Sequence, residues 1–88
     1  MKAKVLNYQV IVTPDEYPGG KACFNAYCPT LEISDYGDTV DKALTNMRDG
    51  IEAYVESLVI DKEEVPVDKM GMLYTQLSIP IKHNFQVV

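Results

Sequence analysis

Few residues in this sequence are of a type that could carry chemistry, and their spacing limits what they could do. His83 is the only histidine, so no histidine-based metal cluster and no Ser/His or Cys/His nucleophile pair can be assembled. Cys23 and Cys28 have no further Cys or His at zinc spacing. They stand five apart in what reads as one strand, so they point to opposite faces and no bridge between them is expected. Both are read as small buried hydrophobes. The carboxylates Asp15, Glu16, Asp35 and Asp38 fall in expected turns, where acids cap and solvate loops, and no two of them stand out as an acid and a base. A nuclease would need carboxylates converging from adjacent strands on a divalent ion, whereas the first expected strand offers Asn7 and Gln9. The stretch PGGK has neither Walker spacing nor a strand-to-helix setting and reads as a hairpin turn. Six tyrosines could stack on bases, yet Tyr8, Tyr27 and Tyr74 fall in expected strands, Tyr54 in an expected helix stripe, and none has surrounding Lys and Arg. No catalytic activity, cofactor or metal is expected.

What remains is a scaffold. Eighty-eight residues make a single domain, residues 1–88, with one modest core. Apolar content of 47% with 24% charged residues places the chain among folded proteins. The N-terminal MKAKVLNYQV lacks a signal peptide's apolar centre and no run reaches membrane-span length, so a cytoplasmic, reduced protein is expected. The net charge of −5 repels phosphate backbones and favours a basic partner over nucleic acid.

The elements follow from periodicity. Residues 5–13, VLNYQVIVT, alternate with β-branched residues throughout and predict a first strand. PDEYPGG predicts a long hairpin loop, and KACFNAYC a second strand ended by Pro29. LEIS predicts a short third strand, with Leu31 and Ile33 on one face. At YGDT, Gly37 is expected to supply an unusual backbone angle, Asp38 the turn and Thr39 the helix cap. Val40, Ala43, Leu44, Met47, Ile51, Tyr54, Val55 and Leu58 then form one stripe of a helix of roughly 20 residues. Lys42 replaces the Glu of a full capping box, and Gly50 costs about 1 kcal/mol relative to Ala. MLYTQLSIPI predicts a fourth strand, at an edge or an end because of Pro80. The expected class is α+β, ordered β-β-β-α-β, with one long helix across a hairpin-based antiparallel sheet.

The run AYCPTLEISDYGDTVDKALTNMRDGIEAYVE, with the preceding YQVIV and its Gly-containing hairpin, resembles the HicB antitoxin family. The matching positions are Pro29, Leu31, Gly37, Asp38, Thr39, Ala43, Leu44 and Asn46, and the match spans roughly residues 5–60. The resemblance implies a partial ribonuclease-H-like fold, assembly into a homodimer or tetramer, and binding of a small basic mRNA-cleaving toxin, HicA, by occlusion. Many members of that family continue into a helix-turn-helix or ribbon-helix-helix segment that binds operator DNA. This sequence stops just after the fourth expected strand, so direct operator binding is not expected. Lys42 and Gly50 stand where the family commonly has Glu and Ala.

The expected function is therefore that of a folded blocker, with Asp15, Glu16, Glu32 and Asp35 as the acids facing the partner. The alternative is a stand-alone homo-oligomeric domain of the same fold that binds RNA or a small ligand. Self-association has a physical motive in either case, because a short sheet with an apolar edge exposes amides and side chains that a second copy would satisfy.

Overall fold

A computed structural model describes residues 5–69 and 75–88. Three strands precede one helix: β1 (Ile11–Glu16), β2 (Ala22–Cys28), β3 (Ile33–Gly37) and α1 (Val40–Ile60). The strands form one antiparallel sheet in the order β1-β2-β3, and α1 packs against β3 and β2. This is the expected α+β class.

The first hairpin is tighter than the sequence suggests. Pro14, Asp15 and Glu16 belong to β1, and Glu16 pairs with Ala22 across a loop closed by Tyr17 N–H donating to the Lys21 carbonyl at 2.8 Å. Gly19 and Gly20 take φ of 100° and 94° there, a region open to glycine at little cost. Pro14 is tolerated because β1 is an edge strand whose outer side needs no ladder donor.

The expected first strand is corrected at its start: pairing begins at Ile11, opposite Tyr27, and not at residue 5. Continuing that register would bring Gln9 opposite Pro29, where β2 has ended and the chain turns. Residues 5–9 thus have no strand to pair with. A side chain from beyond the helix takes its place. The Asp68 carboxylate accepts from Gln9 N–H at 2.7 Å and from the Thr30 hydroxyl at 2.5 Å, while the Tyr8 hydroxyl donates to the Pro66 carbonyl at 2.6 Å.

The turn at residues 29–32 closes with Glu32 N–H donating to the Cys28 carbonyl at 2.8 Å and Glu32 in a left-handed conformation, φ 55°. β3 therefore starts at Ile33, two residues later than expected, and Leu31 enters the core from the turn. That core comprises Ala26, Cys28, Leu31, Ala43 and Met47, flanked by half-buried Val10, Val12, Phe24, Ile33, Ile51 and Val55. Ala26 and Ala43 are fully buried and let helix and sheet approach closely.

Gly37 serves a different purpose from the one expected. Its φ is not in the positive region; among the described glycines only Gly19 and Gly20 are. A Cβ at Gly37 would instead lie 2.6 Å from the Lys42 carbonyl carbon and 2.8 Å from the Ala43 Cα, closer than any real Cβ packs. The requirement is space between the end of β3 and the first turn of α1. Thr39 caps that turn as expected, its hydroxyl oxygen accepting from Lys42 N–H at 3.1 Å.

Only Ala43 and Met47 of the helix stripe are fully buried; Val40 and Leu44 are about 40% exposed. At 21 residues the helix runs about 31 Å, whereas three strands are only about 10 Å across. It overruns its sheet. The helix ends at Ile60, before Pro66, through a paired cap: Lys62 N–H donates to the Val59 carbonyl at 3.1 Å and Glu63 N–H to the Leu58 carbonyl at 2.9 Å, with Lys62 left-handed at φ 58°.

The expected fourth strand is corrected for the residues that can be described. Residues 72–74 of MLYTQLSIPI lie outside them, and residues 75–81 form no strand. They have no ladder partner, because both sheet edges are already guarded. On β1, Pro14 lacks an N–H, and the Asp15 carboxylate accepts from Glu16 N–H at 2.8 Å. On β3, the Asp35 carboxylate accepts from Tyr36 N–H at 2.8 Å and the Asn46 amide donates to the Tyr36 carbonyl at 2.7 Å. Prolines and local side-chain bonds of this kind blunt a sheet edge.

Candidate functional site

The alternation of the strands sorts the sheet into two faces. Val12, Phe24, Ala26, Cys28, Ile33, Asp35 and Gly37 face the helix, while Ile11, Thr13, Asp15, Cys23, Asn25, Tyr27, Ser34 and Tyr36 lie on the other side. No element among the described residues covers that second face, and Ile11, Tyr27 and Tyr36 stand exposed on it. It is a mixed polar and aromatic surface, the composition found at protein–protein contacts. Asn25 holds its Oδ1 out of solvent without a hydrogen-bond partner in the middle of this face. The Tyr17 and Tyr36 rings meet at one end, their centroids 6.5 Å apart and tilted by 48°.

At that end the hairpin is tied to the helix corner. Lys21 Nζ lies 3.4 Å from Asp38 Oδ2 in an exposed ion pair. The Tyr17 hydroxyl beside it, and then Lys21, hold the Asp38 carboxyl below the usual carboxylate range, and Asp38 in turn pushes the Tyr17 hydroxyl up. The negative end of this assembly also sits close to the helix N-terminus, where carboxylates are favoured. Cys23 is buried, and its thiol is pushed up first by burial and then by Asp15, Asp38 and Glu16. A thiol so held stays protonated and is a poor nucleophile. Cys28 lies buried on the helix side, so the two cysteines are free and on opposite faces, as their spacing predicts.

The four acids expected to face a partner are not brought together. Asp15 and Glu16 close β1 at the first hairpin, opposite Cys23 and Ala22, on alternate faces. Glu32 sits in the turn at the other end of the sheet. Asp35 is half-buried on the helix side, its carboxylate 3.8 Å from where a Cβ on Gly50 would stand. The compact acidic group is Asp15, Glu16 and Asp38 around Cys23. Tyr17 and Lys21 complete it, and a tyrosine and lysine flanking a Gly-Gly turn were its sequence signal.

The positions that resemble the HicB family each have a structural task, Pro29 and Leu31 at one end of the sheet and Gly37, Thr39, Ala43 and Asn46 where the helix packs on β3. Pro29 ends β2, Leu31 fills the core, Gly37 gives the helix clearance, Thr39 caps it, Ala43 packs beneath it and Asn46 clamps β3. A second feature, absent from the sequence expectations, is an open apolar groove of about 540 Å³ between residues 5–10 and α1. His83 is exposed. Among the described residues no three of His, Cys, Asp and Glu come together as metal ligands, and no helix is long and apolar enough to cross a membrane.

Comparison with known proteins finds one informative relative. The chain is 35% identical over 77 residues to the UPF0150 protein ssr1765 of Synechocystis sp. (strain ATCC 27184 / PCC 6803 / Kazusa), a match covering 86% of this chain and 90% of that one. No family model and no solved structure matches.

Proposed function

The chain belongs to the UPF0150 family, and from the residues at its helix corner we propose that it is a HicB-type antitoxin, a non-enzymatic cytoplasmic protein that neutralises a small basic mRNA-cleaving toxin by covering it. The observation that carries this is the corner itself: Gly37, Thr39, Ala43 and Asn46, the positions that resemble the HicB family, each have a distinct structural task there. On this proposal the fold is the partial ribonuclease-H-like one, and the protein self-associates as a dimer or a dimer of dimers.

Charge supports the same partner. A net −5 on 88 residues attracts a basic protein, accelerating encounter and setting orientation more than it deepens affinity. The open sheet face and the acidic group of Asp15, Glu16 and Asp38 at its end supply the contact surface.

The test is capture of the small basic product of an adjacent gene by the purified chain, together with growth rescue on co-expression. Association should slow as ionic strength rises, since exposed charges are screened beyond about 10 Å at 0.1 M salt. Failure to capture that product at low salt, or RNA cleavage by the purified chain alone, counts against the proposal. Capture failure with no basic neighbour encoded nearby would favour the stand-alone domain instead.

A further inference from the structure

Resting on the self-association just proposed, we infer that residues 77–87 form an exchanged arm, which lies in the groove between residues 5–10 and α1 of a second copy. From Leu77 to Lys82 the arm alternates, with Leu77, Ile79 and Ile81 on one side and Ser78, Pro80 and Lys82 on the other; after a bend at His83, which interrupts the apolar side, Phe85 and Val87 resume it. Period two is the pattern of an extended segment with one face against apolar surface. Within the chain that face meets nothing. Every residue from 75 to 88 is exposed, Leu77 by 80% and Val87 by 82%. The Cα radius of gyration is 17.3 Å, against about 12 Å for a compact domain of this length, so the arm stands off the body.

The groove complements it. Val5, Leu6, Tyr8 and Val10 form one wall and Leu44 and Ile51 the other. These residues are left open for two reasons already given: residues 5–9 have lost their ladder partner at Pro29, and α1 overruns a narrow sheet. Glu52 and Glu56 stand on the rim. The arm holds no Asp or Glu and carries Lys82, whereas Glu52 and Glu56 outnumber Arg48 along the groove, so the two surfaces differ in sign on a chain whose net charge of −5 otherwise disfavours a second copy. The guarded sheet edges leave this groove, and not an edge, as the place where an extended segment can seat. Pro80 removes one donor, which a seat made mainly of side chains tolerates. Exchange of such an element between identical copies generates a closed two-fold dimer.

The experiment compares the full chain with two doubly substituted full chains by light scattering after size exclusion. Ile79→Asp/Ile81→Asp alters only exposed positions and should weaken dimerisation by at least about a hundredfold, from the loss of two buried isoleucines, while Ser78→Asp/Asn84→Asp, which adds the same charge on the other side of the arm, should weaken it far less. In parallel, Leu6→Cys chains are mixed with Ile79→Cys chains, and a mixed disulfide on a non-reducing gel is expected. Equal dimerisation of the Ile79→Asp/Ile81→Asp chain would overturn the arm and leave self-association standing. An internal disulfide in the Leu6→Cys/Ile79→Cys chain, without the mixed one, would place the arm on its own body and overturn the exchange. A monomeric full chain at micromolar concentration would overturn both. Toxin capture by the Ile79→Asp/Ile81→Asp chain reads the antitoxin proposal separately.

Discussion

The Asn46 side-chain amide reaches from the second turn of α1 to donate to the Tyr36 carbonyl at 2.7 Å. Ten positions separate the two residues, yet the bond crosses from helix to sheet and fills an acceptor that would otherwise face outward along β3. A neutral hydrogen bond of this kind contributes about 1 kcal/mol net.

Asn46→Ala should therefore lower unfolding stability by about 1 kcal/mol in urea titration. Asn46→Asp should cost more at neutral pH, because a carboxylate placed against a carbonyl offers two acceptors and no donor. Equal losses for the two variants would show that the bond is not formed in solution.

Two glycines of the same region should respond in opposite directions. At Gly37 an added methyl meets the backbone of Lys42 and Ala43, so Gly37→Ala should cost about 3 kcal/mol, the upper range for overpacking. At Gly50 the nearest atoms to a new Cβ, Asp35 Oδ2 and the Met47 methyl, are both 3.8 Å away, which is ordinary contact. Gly50→Ala should stabilise by about 1 kcal/mol through helix propensity and a less flexible unfolded chain. Thermal melts of the two variants against the parent decide both.

The Tyr17, Asp38 and Lys21 assembly predicts sensitivity at both ends of the pH scale. Asp38 is held low in the folded protein, so its contribution is present above its unfolded value and is lost as pH falls through the folded one. Tyr17 is pushed up, so its contribution is present below its unfolded value and is lost as pH rises through the folded one. Tyr17→Phe should flatten the acid and the alkaline limbs of the stability profile together; a change confined to one limb would mean that the two groups are not coupled.

Much of the fold is legible in the sequence, and the departures share one cause. The helix and its Thr39 cap follow from local pattern and turn chemistry, which need no knowledge of the rest of the chain. β2 falls within one residue of its expected start for the same reason. The start of β1, by contrast, is set by where its partner ends: Pro29 stops β2, and that removes residues 5–9 from the ladder although their own alternation is regular. Gly37 was recognisable as special, but a close approach between two elements and an unusual φ leave the same single-letter trace. Asp35 reads as a loop acid because the helix residues it faces, Gly50 among them, lie 15 positions on. Asp68 gave no local signal, since its two partners are 38 and 59 positions away.

That distance has a consequence during synthesis. Gln9 and Thr30 leave the ribosome long before Asp68 does, so the hairpins and helix can form while the first segment still lacks the carboxylate that holds it. Until that residue emerges, a nascent chain would present residues 5–10 to chaperones, and a ribosome stalled before codon 68 would carry a product with its beginning untethered.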